Sequence, residues 1–225
     1  MLKRTNMKKV ILPFLEDLQE NNNREWFQAN KSRYDKAKAE FETFINSMIP
    51  AIAKFDDSVK LITAKECIFR IFRDVRFAKD KSPYKTNFGA FIAKGGRKNH
   101  GPGYYFHLQP GESFLAGGVW MPSPDVMKKI RQEIYYNVDE FKSILNDKNF
   151  TKYFSGIDDW DRQKLAPREY PKDFPDIDLL KNRSFTVSHK LNEKIINSEK
   201  LFDYAIGVYQ VMKPYNAFLA KAIEG

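Results

Sequence analysis

Apolar residues recur at helical spacing near both ends of the sequence, and this arrangement constrains the fold more than any other feature. Over residues 34–52 they lie three or four positions apart, which predicts a long amphipathic helix. A second long helix is predicted over residues 201–219 for the same reason. Proline lacks a backbone donor, so we expect the first helix to kink or end near Pro50 and the second to bend at Pro214.

The middle of the sequence carries strand patterns with no helix-length segment between them. Residues 103–109 and 113–120 form the clearest hairpin, with Pro110 and Gly111 at its turn. Further strands are predicted at residues 66–72, 87–94 and 184–188. Short connections make such a sheet antiparallel, and helices from both chain ends can pack on it. The sequence therefore predicts the α+β class, as a single domain over residues 1–225.

Shorter helices are indicated by residues that favour helix N-termini. These residues are Pro13, Asn23 ahead of residues 24–27, Ser123 with Pro124, and Asp139 ahead of a segment ending at Leu145. Residues 158–178 are rich in proline and charge instead. This composition predicts a long irregular excursion over the surface.

Positive charge is concentrated in one part of the chain. The formal net charge is +9, and residues 65–98 hold ten basic and three acidic side chains, so that stretch alone contributes +7. A smaller basic group lies at the N-terminus, at Lys3, Arg4, Lys8 and Lys9. A local excess of this kind attracts phosphates, carboxylates or a nucleic-acid backbone. The simpler alternative is a solvated face that keeps the protein in solution.

Within this stretch, residues 69–88 combine regularly spaced cations with aromatic rings. The candidate ligand-binding residues are Arg70, Arg73, Asp74, Arg76, Lys79, Lys81, Tyr84 and Lys85. Guanidinium groups bind phosphate or carboxylate through paired hydrogen bonds, and lysines add point charges. The alternative is a structural network in which the arginines pair with Asp74, Asp80 or more distant carboxylates and fix the loop.

One face of the predicted hairpin supplies further candidates. Alternation along its first arm places Tyr105, His107 and Gln109 on a shared face. Together with Trp120, which is nearby in sequence, they are expected to form a pocket wall. His107 is the best placed of the three histidines for proton transfer, and a hydrogen-bonded structural histidine is the alternative.

Several classes of site find no support in the sequence. Cys67 is the only cysteine, which excludes an internal disulfide, and its apolar surroundings predict a buried, inert thiol. No catalytic motif or metal-ligand spacing is visible, so we predict no metal site and assign no cofactor. The glycine-rich loop at residues 95–103 does not have the residue order of a phosphate-binding motif, so we predict that it is a mobile connection between strands. No secretion signal or membrane span is predicted, which favours a cytoplasmic location.

Three long motifs carry a family resemblance. They are RIFRDVRFAKDKSPYKT at residues 70–86, NNNREWFQANKSRYDKA at residues 21–37 and GPGYYFHLQPGESFLAGGVWMP at residues 101–122. They resemble an uncharacterised family of conserved hypothetical proteins, the domain of unknown function DUF2461, and the likeness covers essentially the whole chain. The resemblance implies a single domain and brings no activity, substrate or cofactor. The residues that match the family pattern are Asn22, Arg24, Trp26, Phe27, Arg70, Arg73, Asp74, Arg76, Phe77, Lys79, Asp80, Lys81, Pro83, Tyr84 and Lys85.

Three functions are compatible with these features. The leading interpretation is recognition of an anionic small molecule by the basic segment. The second is an enzyme acting on a phosphorylated small molecule or nucleotide, with Asp74, Tyr84 or His107 transferring the proton. The third is nucleic-acid binding, in which the cations follow phosphates and the interleaved aromatic rings stack on bases. No membrane partner is predicted, and the sequence leaves the oligomeric state open.

Overall fold

The computed structural model describes residues 7–225, which contain nine α-helices and four β-strands. The helices are α1 (Leu12–Glu20), α2 (Arg24–Ala29), α3 (Lys31–Ile52), α4 (Ala64–Cys67), α5 (Pro124–Tyr136), α6 (Val138–Leu145), α7 (Lys148–Thr151), α8 (Glu193–Ile196) and α9 (Leu201–Glu224). The strands are β1 (Phe88–Ile92), β2 (Gly103–Leu108), β3 (Phe114–Val119) and β4 (Phe185–Lys190). Of the basic N-terminus, Lys3, Arg4 and the side chain of Lys8 lie outside the described part.

The helices form largely where the sequence predicts them. Asn23 caps α2, because its side chain accepts a hydrogen bond from the backbone N–H of Trp26 at 2.8 Å. Helix α3 ends at Ile52, two residues after Pro50. The prediction that Asp139 caps α6 was wrong, because α6 begins at Val138 and Asp139 lies in its first turn. No helix within residues 7–225 is long and apolar enough to cross a membrane.

Residues 66–72 do not form the predicted continuous strand, and only isolated antiparallel bridges pair there, Ile68 with Ala90 of β1 and Phe72 with Tyr84. Five of the seven residues are apolar, but a capping box starts a helical turn that takes in the first two: the Glu66 carboxylate accepts hydrogen bonds from the backbone N–H and the hydroxyl of Thr63, both at 2.8 Å. Helix α4 results, and it buries Cys67 completely. Burial raises the pKa of this thiol to about 12, which agrees with the predicted inert cysteine.

The four strands form one antiparallel sheet in the order β1-β2-β3-β4. The tight β2–β3 hairpin is confirmed, with Gly111 in the left-handed conformation at its turn (φ 75°). Residues 158–178 form the predicted irregular excursion between β3 and β4, ending in a 3-10 turn at Ile177–Lys181. A four-stranded antiparallel sheet with helices from both chain ends confirms the α+β class.

Helices α3 and α9 pack on one face of the sheet and enclose the core. Phe41 of α3 stacks on Phe88 of β1, with ring centroids 5.3 Å apart. Gly117 of β3 admits Met212 of α9, because a Cβ atom at Gly117 would lie 2.0 Å from the methionine sulfur. These contacts seat both long helices on the apolar side of the strands.

The opposite side of the sheet, here called the open face, carries partly exposed aromatic side chains. They are Phe91, Tyr105, His107 and Phe114. The chain's own backbone meets both outer edges of this sheet. Phe69 donates its N–H to the carbonyl of Gly89 in β1 at 2.9 Å, and Asp158 donates its N–H to the carbonyl of Thr186 in β4 at 2.8 Å.

Candidate functional site

Residues 70–85, here called the basic loop, leave the edge of β1 and fold back on themselves. The backbone N–H of Arg73 donates to the carbonyl of Pro83 at 2.9 Å, and that of Lys85 donates to the carbonyl of Ile71 at 2.7 Å. These two bonds close the base of the loop like a short hairpin. The tip lies between them, at residues 74–82.

Two arginines of the basic loop are paired to carboxylates of the same loop. Arg76 binds Asp74 through two hydrogen bonds, Nε to Oδ1 at 3.0 Å and Nη2 to Oδ2 at 2.7 Å. Arg73 forms an ion pair with Asp80. Hydrogen bonds from Arg76 lower the pKa of Asp74, and hydrogen bonds from Ser82 and then Arg73 lower that of Asp80. The ion-pair network predicted as the structural alternative is therefore present for these two arginines.

The lysines of the tip are arranged differently. Lys81 Nζ donates to the backbone carbonyl of Val75 at 3.0 Å, which fastens one side of the tip to the other. Lys79 is exposed and makes no ion pair or hydrogen bond within residues 7–225. Phe77 stands between these lysines and Arg76 with 96% of its surface exposed. The tip thus presents an aromatic ring among cations.

Tyr84 lies at the base of the basic loop and packs toward the core. It is 4% exposed and stacks on Phe27, with ring centroids 3.9 Å apart. Asn22 fixes its backbone, donating to the carbonyl of Tyr84 at 2.9 Å and accepting from its N–H at 3.1 Å. The structure therefore gives Asn22, Phe27 and Tyr84 a joint role in anchoring the basic loop to α2.

Arg70 and Lys85 stand together where the basic loop meets the open face. Lys85 Nζ lies 5.5 Å from the ring centroid of Phe69, in a cation–π contact. Neither cation has a carboxylate within 4.0 Å in the described chain. Burial lowers the pKa of Lys85, and the nearby positive charge of Arg70 lowers it further. Among the cations of the basic loop without an ion pair, Arg70 and Lys85 are the two that lie at its base, next to the open face, whereas Lys79 and Lys81 lie at the tip.

The open face next to this pair carries a chain of hydrogen bonds. The hydroxyl of Tyr105 donates to Nδ1 of His107 at 3.0 Å, and Nε2 of His107 donates to Oε1 of Gln109 at 2.9 Å. Gln109 in turn donates to Glu112 at 2.9 Å. The predicted shared face of Tyr105, His107 and Gln109 is thus observed. Both nitrogens of His107 are engaged, as in the structural alternative.

The packing around His107 favours the neutral form of the imidazole. Its ring stacks on Phe114 of β3, with centroids 4.5 Å apart and planes 16° from parallel. Burial lowers the pKa of His107, and the charge of Lys85 lowers it further, against the hydrogen bond to Gln109. The influence of Lys85 on His107 shows that the basic loop and the open face share one electrostatic environment.

The structure brings together four of the predicted site residues and separates the rest. Lys85, Tyr105 and His107 are linked through Phe69 at the junction of the basic loop and the open face, and Arg70 is close enough to Lys85 for its charge to act there. We call these four residues the junction site. Trp120 is 67% exposed and follows the far end of β3, six residues from Phe114. At about 3.3 Å per strand residue this places it roughly 20 Å from His107, outside the junction site.

Phe69 was not among the predicted site residues, although it links the two halves of the junction site. Its ring lies under Lys85 and meets Tyr105 edge-on at 6.2 Å between centroids. The erroneous strand at residues 66–72 placed Phe69 in the sheet, so its contact with the face of β2 was not foreseen. Asn87 was also missed; its amide donates to Nδ1 of His107 at 3.4 Å.

The junction site contains no grouping suited to a metal ion. Within residues 7–225 no three or more His, Cys, Asp or Glu side chains are clustered so as to hold one. The chemistry available is that of two cations, a phenol, an imidazole and two amides. Such a set recognises an oxyanion by charge and hydrogen bonds.

Comparison with known proteins identifies the family. No curated protein and no solved structure matches the chain. A family model described as "Conserved hypothetical protein (DUF2461)" matches residues 10–218, which include the basic loop and all four strands. The chain therefore belongs to the DUF2461 family of conserved hypothetical proteins.

Proposed function

We propose that this protein is a single-domain anion-recognition module that binds a phosphorylated or carboxylated small molecule at the junction site. The observation that supports the proposal is the Arg70–Lys85 pair. The two cations repel each other, and within the described chain neither has a carboxylate within 4.0 Å, although the more distant charge of Asp74 acts on Arg70. An anion bound between them removes this repulsion and gains charge-assisted hydrogen bonds from both.

The surroundings of the pair favour a ligand that carries an aromatic or sugar group as well as its negative charge. Phe69 and Phe114 present ring surface on either side of the Tyr105–His107 hydrogen bond. An aromatic or sugar group attached to the anion would lie against these rings. Small-molecule sites commonly combine apolar walls with a few polar groups that fix orientation.

Binding is favoured over catalysis at this site. A general base needs a free lone pair within reach of the substrate, and in His107 Nδ1 already accepts from Tyr105 while Nε2 donates to Gln109. Tyr84 is buried in the aromatic cluster with Phe27, and Asp74 is occupied by Arg76. Each of the three proton-transfer candidates is thus engaged elsewhere.

A second candidate function, nucleic-acid binding, is favoured by the tip of the basic loop. Phe77 is 96% exposed there, and the Arg76 guanidinium lies 6.0 Å from its ring centroid. Proteins that bind single strands pair cations that follow the phosphates with exposed rings that stack on bases. This candidate uses the tip of the loop, whereas the leading proposal uses its base.

A thermal-shift titration tests the proposal. The probes are inorganic phosphate, adenosine monophosphate, citrate and a short single-stranded oligonucleotide. Ligand at a hundredfold its Kd raises the free energy of unfolding by about 2.7 kcal/mol, enough for a clear rise in melting temperature. We expect Arg70→Ala and Lys85→Met to abolish the rise caused by a small anion.

Arg76→Ala is the matched control, because it removes the same charge from the same loop at an exposed guanidinium already paired to Asp74. We expect this variant to keep most of the response. If Arg76→Ala and Arg70→Ala weaken binding equally, only net charge matters and the proposed site is wrong. A response to the oligonucleotide alone, lost in Phe77→Ala and at high salt, favours the second candidate instead.

A further inference from the structure

A buried arginine without a counter-ion lies far from the basic loop in sequence, on α5. Arg131 is 8% exposed, and its neighbours Ile130 and Ile134 are fully buried. The guanidinium donates one hydrogen bond, from Nη2 to the backbone carbonyl of Asn182 at 3.0 Å. Its Nε is buried with no acceptor, and no carboxylate lies within 4.0 Å of it in the part of the chain that the structure describes.

Two cations of the same region have the carboxylate partner that Arg131 lacks. Arg162 and Lys181 both pair with Asp178, at 2.8 and 2.7 Å. Burying a charge without a partner is costly, so proteins rarely retain one unless it serves a purpose. The charge of Glu169 acts on Arg131, but from beyond ion-pair distance. The chain itself therefore leaves the charge of Arg131 largely uncompensated.

Arg131 lines a pocket of about 530 Å³ between α5 and the loop at residues 163–169. This volume falls within the range typical of small-molecule sites. Besides Arg131, the charged residues that line it are Lys164, Arg168 and Glu169. Three cations against one carboxylate give the pocket a net positive charge.

The loop at residues 163–169, which borders this open pocket, is held at both ends. At one end the backbone N–H of Gln163 donates to the carbonyl of Lys181 at 3.0 Å. At the other end the ring of Tyr170 packs on Tyr135 of α5, with centroids 5.2 Å apart. Pro167, midway along the loop, is buried. The loop is thus tied to the fold, and the pocket is a built feature of the protein.

We propose that this pocket, which we call the α5 pocket, is a second binding site that takes a small molecule carrying a doubly charged oxyanion, a phosphate monoester or a dicarboxylate. Arg131 supplies the buried charge at the pocket wall, and Lys164 and Arg168 supply further cations. The site is separate from the junction site and stands on different residues. Either proposal can therefore fail without the other.

Nuclear magnetic resonance of the arginine Nε–H groups tests this assignment. The probes are inorganic phosphate, adenosine monophosphate and succinate, with uncharged adenosine as the matched negative probe. The buried Nε–H of Arg131 is shielded from solvent exchange, and its signal is identified by its loss in Arg131→Lys. We expect at least one of the anions, and not adenosine, to shift this signal.

Variants then separate a binding role from a structural one. We expect Arg131→Met to weaken anion binding at least about tenfold, since one charged contact is worth that factor or more. We also expect its melting temperature without ligand to equal or exceed that of the wild type, because an uncompensated buried charge has been removed. Arg168→Ala should weaken binding too, whereas Lys172→Ala, an exposed change outside the pocket lining, should not.

Three results would overturn the assignment. The first is that no anion moves the Arg131 signal at millimolar concentration. The second is that Arg131→Met melts well below the wild type while Arg168→Ala binds normally, which makes Arg131 a structural residue. The third is that Arg70→Ala abolishes the binding detected at Arg131, which assigns the ligand to the junction site.

Discussion

Replacing Tyr104 by phenylalanine removes one buried hydroxyl and leaves the packing unchanged. Tyr104 is 1% exposed, and its hydroxyl donates to Oδ2 of Asp56 at 2.8 Å. Asp56 is itself buried and also binds Ser58 at 2.7 Å and Lys213 at 3.0 Å. It therefore keeps partners in the variant, so the measured loss is that of one hydrogen bond to a charged acceptor.

The size of the loss follows from the kind of acceptor. A hydrogen bond to a charged group contributes about 1.5–3 kcal/mol, so we expect Tyr104→Phe to lower the free energy of unfolding by about 2 kcal/mol. For a chain of this size that corresponds to a melting temperature lower by about 4–8 °C. Two other buried tyrosines serve as controls. Tyr209 donates to the backbone carbonyl of Tyr105, a neutral acceptor, and the hydroxyl of Tyr215 has no partner among residues 7–225.

The three variants should rank by acceptor. We expect the free energy of unfolding to fall by about 2 kcal/mol in Tyr104→Phe and by about 1 kcal/mol in Tyr209→Phe. In Tyr215→Phe we expect it to stay the same or to rise slightly. Urea denaturation followed by circular dichroism measures each value, with an unchanged m-value confirming the same transition. A loss for Tyr104→Phe no greater than that for Tyr209→Phe would refute the reasoning.

The pH dependence gives a second check on the same variant. Burial opposes ionisation of Asp56, but hydrogen bonds from Ser58, Lys213 and Tyr104 and the charge of Lys213 hold its pKa below the ordinary value. An aspartate with a lowered folded pKa stabilises the protein above its unfolded pKa, and this stability is lost as the pH falls through the folded value. The difference between wild type and Tyr104→Phe should therefore shrink as the pH falls below about 4.

Two further predictions concern the strands. Gly118→Ala should destabilise the protein by about 3 kcal/mol or more, because φ is 96° there and the new Cβ would lie 2.0 Å from the carbonyl oxygen of Phe185. Gly111 has a φ of 75° but open space around it, so Gly111→Ala is the control and should lower the free energy of unfolding by only about 1 kcal/mol in the same urea assay. For His107, burial lowers the pKa below 6.5, so protonation favours the unfolded state and stability declines as the pH falls below about 6.5. Titration of its ring proton signals measures this pKa, and a value above 6.5 would contradict the described environment.

Local signals in the sequence were sufficient for most of the fold. The apolar spacing of residues 34–52 and the Pro110-Gly111 turn each specify their element without help from distant residues. The incorrect prediction of a strand at residues 66–72 also has a local cause, in two residues at its start. The apolar residues there favour a strand, but the capping box of Thr63 and Glu66 starts a helical turn through Cys67, because the Glu66 carboxylate accepts hydrogen bonds from the N–H and the hydroxyl of Thr63.

The junction site was predicted in part, because its members come from two segments whose patterns are readable separately. The alternation along β2 predicted that Tyr105 and His107 share one face of the sheet. The concentration of basic residues predicted that Arg70 and Lys85 are ligand-binding cations. The pairing of arginines with carboxylates of their own loop depends on how the tip folds. Charge spacing therefore does not predict that Arg73 and Arg76 are the two that are paired.

Arg131 illustrates what local patterns do not contain. It lies four residues after Met127, next to the apolar side of α5. Its charge at that position is the one sign in the sequence that the site is unusual. Its burial depends on a loop more than thirty residues later and on the carbonyl of Asn182, fifty-one residues away. Such a pocket arises from tertiary packing, so helical periodicity alone does not predict it.

The backbone contacts at the two sheet edges also bear on aggregation. An open edge presents unpaired amides and carbonyls, to which a strand from another molecule can add, as in fibrils and edge-to-edge dimers. Here the N–H of Phe69 occupies a carbonyl of β1 and the N–H of Asp158 occupies one of β4. Growth of the sheet from one molecule to the next is hindered at both ends. A strand added at either edge would have to displace a contact that the chain makes with itself.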